Sequence, residues 1–308
     1  MIYFAILPLT LGCLQKKPAI KTSIESNQYK VVPHPEGESL INTNMTLKLN
    51  RIIDVDGRQG VAIDDSNYYV SGTSSLHVYS KDGALLRADK NPFSGYSAKV
   101  NHFGDIAIHD GKLYTSAEWF ENGKGSNMQI GIHDAKTLKL LESHPIDKTT
   151  SQQELSGLAI DALNGKIWLC SWLDSESGNH LYEYDLKSGQ YLGNLTMDKP
   201  PSHVQGVAYH NGRLYLTADD GDALSNRPDH LFTVDLSEGN KGKVTLLRSF
   251  TDIKAQGEIE GLGFDPVKHE IIIHFNRGKI IKEGKPMGLL SGYTREIHEL
   301  YIFDYFDE

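Results

Sequence analysis

A short motif that recurs five times constrains the fold of this chain more than any other sequence feature. Each copy has an anchor residue, a short apolar stretch, a turn rich in Asp, Asn or Gly, and a second apolar stretch. The copies begin GVAID, DIAIH, GLAID, GVAYH and GLGFD, at the anchors Gly60, Asp105, Gly157, Gly206 and Gly261. The anchors are 45, 52, 49 and 55 residues apart. This spacing is close to the period of roughly 40–50 residues that is typical of repeated four-stranded units.

Each copy predicts up to four antiparallel strands joined by tight turns. The first strand directly follows or includes the anchor, as at 61–63 and 206–209. Second strands are predicted at 113–115, 167–169, 214–216 and 271–273, third strands at 76–79, 129–133, 181–185, 231–235 and 300–304, and fourth strands at 139–143 and 244–249. Four antiparallel strands repeated around an axis form the blades of a β-propeller. The sequence therefore predicts an all-β protein, a five-bladed β-propeller over residues 46–308.

The fifth copy ends after its third strand, near Tyr305. We expect its fourth strand to come from residues 46–55, which precede the first copy. This closure would remove the open sheet edges at which other chains could pair. A sixth blade would need about 45 further residues, and residues 14–45 do not have the pattern of strands.

The first thirteen residues predict an export signal. They form a short apolar stretch that ends in Gly-Cys, which is similar to a bacterial lipoprotein signal with acylation at Cys13. The stretch has no basic residue before it and carries Thr10 where leucine is commonest, so a tail with a chance cysteine is the alternative. Residues 14–45 are polar and aperiodic, as a tether would be. The expected location is the periplasm or the cell surface, with a lipid anchor in the outer membrane.

Composition excludes several classes of function. The formal net charge is −9, which argues against a nucleic-acid partner because such proteins present Lys and Arg to the phosphates. Two cysteines, Cys13 and Cys170, cannot form a disulfide framework. Cys170 lies in an apolar second strand, so we expect a packed thiol rather than a nucleophile. The predicted partner is a small or polymeric extracellular ligand, bound by a monomer.

Residues just before the anchors form polar columns. If the first strands surround one axis, the third residues before the anchors converge, and four of them are His102, Glu154, His203 and Glu258. We predict these four as catalytic residues that position and activate a water, with Glu154 and Glu258 as ligands of a divalent cation. The residues directly before the anchors add Gln59, Gln205 and Glu260 as binding residues. A polar channel lining with no chemistry is the alternative.

The ends of the second strands and the loops after them add further candidates. The binding residues predicted there are Glu118, Asp219, Asn276 and Arg277. Long polar loops are expected at 118–127, 174–180, 219–230 and 276–298, where function concentrates on a rigid scaffold. Asp219, Asp220 and Asp222 offer oxygen ligands to calcium, although a solvated acidic turn would look the same. Arg277, in a long glycine-containing loop, could hold a phosphate or carboxylate group.

The repeats resemble those of several propeller families. GVAID, GLAID and GVAYH, together with the KLY and RLY of two second strands, are similar to repeats of SMP-30/gluconolactonases, strictosidine-synthase-like proteins and YVTN-type proteins. The first copy, with Gln59, Gly60 and Tyr69, also resembles plant-type glutamine cyclotransferases. The lactonase likeness implies a metal site with a glutamate before the first strand, where Gln59 stands in this chain. The expected function is a hydrolase of lactones, esters or phosphoesters; the alternatives are a non-catalytic binding protein and a glutaminyl cyclase.

Overall fold

The computed structural model describes residues 45–282 and 284–307, and these form an all-β protein. The predicted signal at 1–13, with Cys13, lies outside the described residues, as does nearly all of the tether at 14–45. One 3₁₀ helix, Glu176–Asn179, is the single helix within the described ranges. No described helix is long and apolar enough to cross a membrane. Of the 22 described strands, 20 form five groups of four, called sheets 1 to 5 below, and the other two form a separate hairpin.

The first strand of the described chain, β1, spans Met45–Asp54 and precedes sheet 1. Sheet 1 consists of β2–β5, at Val61–Ile63, Asn67–Gly72, Ser75–Ser80 and Leu85–Asp89. Sheet 2 consists of β6–β9, at His102–His109, Lys112–Glu121, Lys124–Asp134 and Leu140–Pro145. In both sheets the strands are hydrogen-bonded in chain order. Each sheet is thus a four-stranded meander, as the repeat predicts.

Sheets 3 and 4 have the same order. Sheet 3 consists of β10–β13, at Leu158–Asp161, Lys166–Leu169, His180–Asp185 and Tyr191–Met197. Sheet 4 consists of β14–β17, at Val204–His210, Arg213–Ala218, His230–Glu238 and Lys241–Ser249. Their outermost strands pair in parallel through Thr196–Lys241 and Met197–Gly242, which joins the two sheets into one of eight strands. The repeat pattern does not predict this short parallel contact.

Sheet 5 is closed by the start of the described chain, so that prediction is confirmed. Its other strands are β18 (Gln256–Phe264), β19 (Glu270–Arg277) and β22 (Ile297–Asp307). Between β19 and β22 the chain forms β20 (Lys279–Lys282) and β21 (Lys285–Leu289). The sheet order is β18-β19-β22-β1, with Leu47 opposite Tyr305 and Ile53 opposite Leu300. Strands β20 and β21 form a separate hairpin inside the predicted loop 276–298. Arg51 of β1 also reaches sheet 1, donating to Tyr68 Oη at 2.8 Å and pairing with Glu270 at 3.0 Å.

The first strands of the five sheets form a ring. Strands β2, β6, β10, β14 and β18 contact one another in chain order, and β18 contacts β2. The hydrophobic core is divided in the same way into five clusters, each shared by two neighbouring sheets, including sheets 5 and 1. Tyr68 and Val70 pack towards sheet 5, whereas Tyr69 packs towards sheet 2. Because successive side chains of a strand point to opposite faces, both faces of a sheet are buried.

One predicted loop is wrong. Residues 118–127, expected as a long polar loop, instead extend strands β7 and β8 into a hairpin. Trp119 pairs with Ser126, and Glu121 pairs with Lys124 across a turn at Asn122 and Gly123. Both turn residues have positive φ, of 54° and 78°, which suits Asn-Gly in a two-residue hairpin.

Candidate active site at the polar end of the ring

Asp105 fills the centre of the ring. Its Oδ1 accepts hydrogen bonds from the backbone N–H groups of Ile106 at 2.8 Å and Val61 at 3.1 Å, and its Oδ2 accepts one from Val207 at 3.3 Å. The side chain is 1% exposed, and burial raises the pKa of the carboxyl well above its usual range. A Cβ on Gly261 would lie 2.1 Å from Asp105 Oδ1, so this anchor must be glycine. Asp105 therefore divides the interior of the ring into two ends. One end is lined by the residues that precede the anchors, and the other by the residues that follow them.

At the end that precedes the anchors, His102 and Glu118 face each other across β6 and β7. They are register partners, and His102 Nδ1 lies 3.5 Å from Glu118 Oε1. Neither of these two buried atoms has another hydrogen-bond partner among the described residues. Burial, with a contribution from Arg58, lowers the pKa of His102 to about 4, whereas burial raises the pKa of Glu118 to about 8. At neutral pH a neutral imidazole thus faces a protonated carboxylic acid.

Glu154 lies beside this pair. Its Oε2 accepts a hydrogen bond from the backbone N–H of Trp172 at 2.6 Å. Glu118 Oε2 accepts one from the N–H of Leu155 at 3.1 Å, which ties the two glutamates to adjacent segments. Burial and the nearby Glu118 carboxyl raise the pKa of Glu154 well above its usual range. Glu154 is therefore a second carboxyl whose burial favours the protonated form, and the backbone holds it in place.

Arg58 brings a positive charge to this end of the ring, and the polar columns of the sequence did not include it. Its guanidinium donates to Glu258 and, at 3.3 Å, to Glu296 Oε1. Burial raises the pKa of Glu258, although the positive charge of Arg58 opposes this shift. Burial also acts to raise the pKa of Glu296, but Arg58 and Lys279 hold the pKa of that carboxyl below its usual range. A sequence signal for Arg58 exists. The second residues before the other anchors are all apolar, namely Phe103, Leu155, Val204 and Ile259.

Glu260 and Asn276 continue the cluster on sheet 5. Asn276 Nδ2 donates to Glu260 Oε1 at 2.6 Å and to the Arg58 carbonyl at 3.0 Å. Its Oδ1 accepts from His298 Nδ1 at 2.7 Å, another contact that sequence reasoning missed. Burial, followed by the neighbouring acids, raises the pKa values of Glu260 and Asp219 well above their usual range. Sheet 5 thus adds an acid-rich wall to the site.

The remaining predicted residues lie in other surroundings. His203 packs against Trp172, with ring centroids 4.6 Å apart and ring planes tilted by 32°, and its Nε2 lies 3.6 Å from Asp174 Oδ2. Gln59 contributes its backbone carbonyl, which accepts from Gly261 N at 3.1 Å. Gln205 is half-buried at a bulge in β14. Arg277 forms a two-point ion pair with Glu299 at 2.6 and 3.0 Å, so its guanidinium already has an anionic partner.

The predicted metal ligands have other partners. Glu154 accepts from a backbone N–H, and Glu258 pairs with Arg58. Within the described residues, no three His, Cys, Asp or Glu side chains are grouped so that they could hold a metal ion. In the acidic loop, Asp220 pairs with His230 at 2.7 Å and Asp222 accepts from Leu224 N at 2.9 Å. These residues do not fit a divalent cation as arranged, and calcium stays a prediction.

Cys170 is a packed thiol, as predicted. It is 1% exposed in the core cluster between sheets 3 and 4. Burial raises the pKa of its thiol, and a Cβ on the anchor Gly157 would lie 2.4 Å from its Sγ. A thiol held in this way is poorly suited to act as a nucleophile.

Comparisons with known proteins leave the family open. No protein-family model matches the chain, and no curated protein matches it. Among the solved structures that match is Kuenenia stuttgartiensis hydrazine synthase, with a TM-score of 0.43 and 11% sequence identity. The match covers 81% of this chain and 64% of that one, so the chain spans less than two thirds of that protein. A likeness at this level does not transfer an activity.

Proposed function

We propose that sheets 1 to 5 are the blades of a five-bladed β-propeller, with β1 completing the last blade. Three features support this proposal: the ring of first strands, the five core clusters between neighbouring sheets, and the pairing of β1 with β22. The likeness of the repeats to gluconolactonase-type propellers agrees with it. Periplasmic or cell-surface exposure of this propeller remains the expectation from the sequence.

We further propose that the chain is a hydrolase of esters or lactones, acting at the polar end of the ring. The observation that carries this proposal is the His102–Glu118 pair. Two groups with oppositely shifted pKa values, whose facing atoms lie 3.5 Å apart and have no other partner in the described part of the chain, are suited to acid–base catalysis.

The reaction would need both members of the pair. Neutral His102 takes a proton from water through Nε2 while the water oxygen forms a bond to the carbonyl carbon. As the bond between that carbon and the alkoxy oxygen breaks, protonated Glu118 donates its proton to the leaving oxygen. The proton then passes from His102 Nδ1 to Glu118 Oε1 across the 3.5 Å contact, which restores the protonated acid and a neutral imidazole. The ring is then protonated at Nε2, and proton exchange with solvent returns the proton to Nδ1 before the next turnover. The positive charge of Arg58 would stabilise the developing oxyanion.

We expect His102→Ala and Glu118→Gln each to lower kcat/KM for p-nitrophenyl acetate or δ-valerolactone by about 10²–10⁴-fold. The activity of the unmodified protein should form a plateau between about pH 4 and 8, because His102 must be neutral and Glu118 protonated. Initial rates measured from pH 3.5 to 9.5, with and without EDTA, test the assignment and also the predicted cation.

A matched control exists in another His–Glu pair. His180 Nε2 lies 2.8 Å from Glu176 Oε1 at an exposed site on sheet 3. His180→Ala and Glu176→Gln should change kcat/KM by less than about twofold, since the His180 ring contacts Glu176 and Thr196 Oγ1 rather than His102 or Glu118. Hydrolysis that survives both His102→Ala and Glu118→Gln would refute the proposed site. Absence of hydrolysis, with cyclisation of a peptide that begins with Gln, would instead support the glutaminyl cyclase.

A further inference from the structure

A cavity of about 440 Å³ opens at the opposite end of the ring, among the residues that follow the anchors. All five first strands contribute to it with the same pattern. An alanine or glycine stands second after each anchor, and a large apolar side chain stands third. These large residues form an apolar collar, and they are Ile63, Ile108, Ile160, Tyr209 and Phe264.

The cavity is closed at its inner end. Its deepest lining residues directly follow the anchors, as Val61, Ile106 and Val207 do. The backbone N–H groups of these three residues bind the Asp105 carboxyl, which therefore lies behind the floor. The volume is within the range of small-molecule sites, about 300–1,000 Å³. A blind cavity with an apolar collar suits one apolar group rather than a helix or a flat protein surface.

The cavity lining includes two oppositely charged side chains, Asp265 and Lys268. Asp265 is neutralised, because Lys81 Nζ lies 2.7 Å from its Oδ2 and the N–H groups of Val267 and Lys268 donate to its Oδ1 at 2.9 Å. The Lys268 side chain is 52% exposed and lies 3.9 Å from Glu270, too far for a hydrogen bond. Lys268 can therefore turn towards a ligand.

We propose that this cavity binds a slender apolar carboxylate, such as a medium-chain fatty acid. The hydrocarbon chain lies inside the collar, and the carboxylate pairs with Lys268 at the rim. Burial of each CH₂ group contributes about 0.8 kcal/mol, so the chain supplies most of the affinity. The ion pair at the exposed rim supplies a smaller part.

The test is isothermal titration calorimetry of the whole protein with decanoate and with 1-decanol. We expect both to bind the unmodified protein, with decanoate binding several-fold more tightly. Ala107→Trp places a large side chain in the cavity and should weaken both ligands more than about tenfold. Lys268→Ala should weaken decanoate alone, to the level of 1-decanol.

Leu192→Trp is the matched control, because Leu192 is 54% exposed on the outermost strand of sheet 3. It should leave both affinities within about twofold of the unmodified protein. If Ala107→Trp does not fold, Ile160→Asn at the half-buried collar replaces it. The proposal is overturned if decanoate does not bind the unmodified protein. It is also overturned if Ala107→Trp, or Ile160→Asn in its place, binds decanoate as tightly as the unmodified protein does. An unchanged decanoate affinity in Lys268→Ala overturns the carboxylate assignment.

Discussion

Asp105→Ala is expected to lower the free energy of unfolding by about 3–5 kcal/mol. The substitution removes the acceptor of two N–H groups from other strands, Val61 and Val207, and of one from the adjacent Ile106. A buried donor without a partner costs about 1–3 kcal/mol, and the lost carboxyl also leaves a cavity. Urea unfolding followed by tryptophan fluorescence measures the change.

Asp64→Ala is the matched control for this prediction. Asp64 also accepts three hydrogen bonds, from Ser66 N, Asn67 N and Tyr69 Oη at 2.8, 2.7 and 2.8 Å. It lies in a turn that water can reach, so its loss should cost only about 1 kcal/mol. Equal effects of the two substitutions would show that Asp105 does not bind the first strands together.

Asp105→Asn separates the hydrogen bonds from the charge. Burial raises the pKa of Asp105 well above its usual range, which favours the protonated carboxyl. Asparagine keeps the size and one acceptor oxygen, and we expect it to lose less than half as much stability as alanine. A loss as large as that of alanine would indicate that an ionised carboxylate is required.

Much of the strand pattern could be predicted from the sequence because the repeat encodes it locally. Val61–Ile63 is found as predicted, and the closing strand predicted at 46–55 is found at Met45–Asp54. The hairpin across 118–127 could not be recognised in this way. Its residues, which include Glu121, Asn122 and Lys124, are polar and resemble a loop, because backbone pairing rather than an apolar face holds the hairpin.

The site was harder to predict than the fold. The polar columns placed His102 and Glu154 before the anchors and Glu118 at the end of a second strand, and these three side chains lie close together in the structure. Arg58 and Glu258 are 200 residues apart and meet only because sheet 5 closes against sheet 1. The pKa shifts depend on how deeply each side chain is buried, and the aligned positions of the repeats do not predict burial. The apolar collar corresponds to the large side chains that stand third after the anchors. Apolar residues in a strand also predict core packing, so this pattern does not by itself indicate a cavity.

The buried acids predict an unusual dependence of stability on pH, and this is the second large effect. The pKa of Glu118 is about 8 in the folded protein and near its usual 4.5 when unfolded. The folded state therefore holds a proton that the unfolded chain releases above pH 4.5. The stabilisation is complete below that pH and is lost as the pH rises towards 8. Each pKa unit corresponds to about 1.4 kcal/mol, so the loss from Glu118 is on the order of 3–5 kcal/mol.

His102 acts in the opposite direction. Its pKa is about 4 in the folded protein, against the usual 6.5. Below pH 6.5, His102 binds a proton in the unfolded chain but stays neutral in the folded protein. The free energy of unfolding therefore falls as the pH drops from 6.5 towards 4. The two groups together place maximal stability near pH 5–6, lower than for a protein whose acids are all ion-paired.

Glu118→Gln isolates the alkaline limb of this dependence. Glutamine keeps an acceptor for the Leu155 N–H but cannot ionise, so the variant should lose less stability than the unmodified protein between pH 5.5 and 8. Urea unfolding at pH 5.5, 7 and 8 measures the slope, and the expected difference at pH 8 is on the order of 3 kcal/mol. Glu142→Gln, at a side chain that is 61% exposed, should leave the slope unchanged. A Glu118→Gln protein that loses as much stability as the unmodified one over this interval would show that Glu118 is ionised in the folded state, which would also remove the acid from the proposed hydrolytic pair.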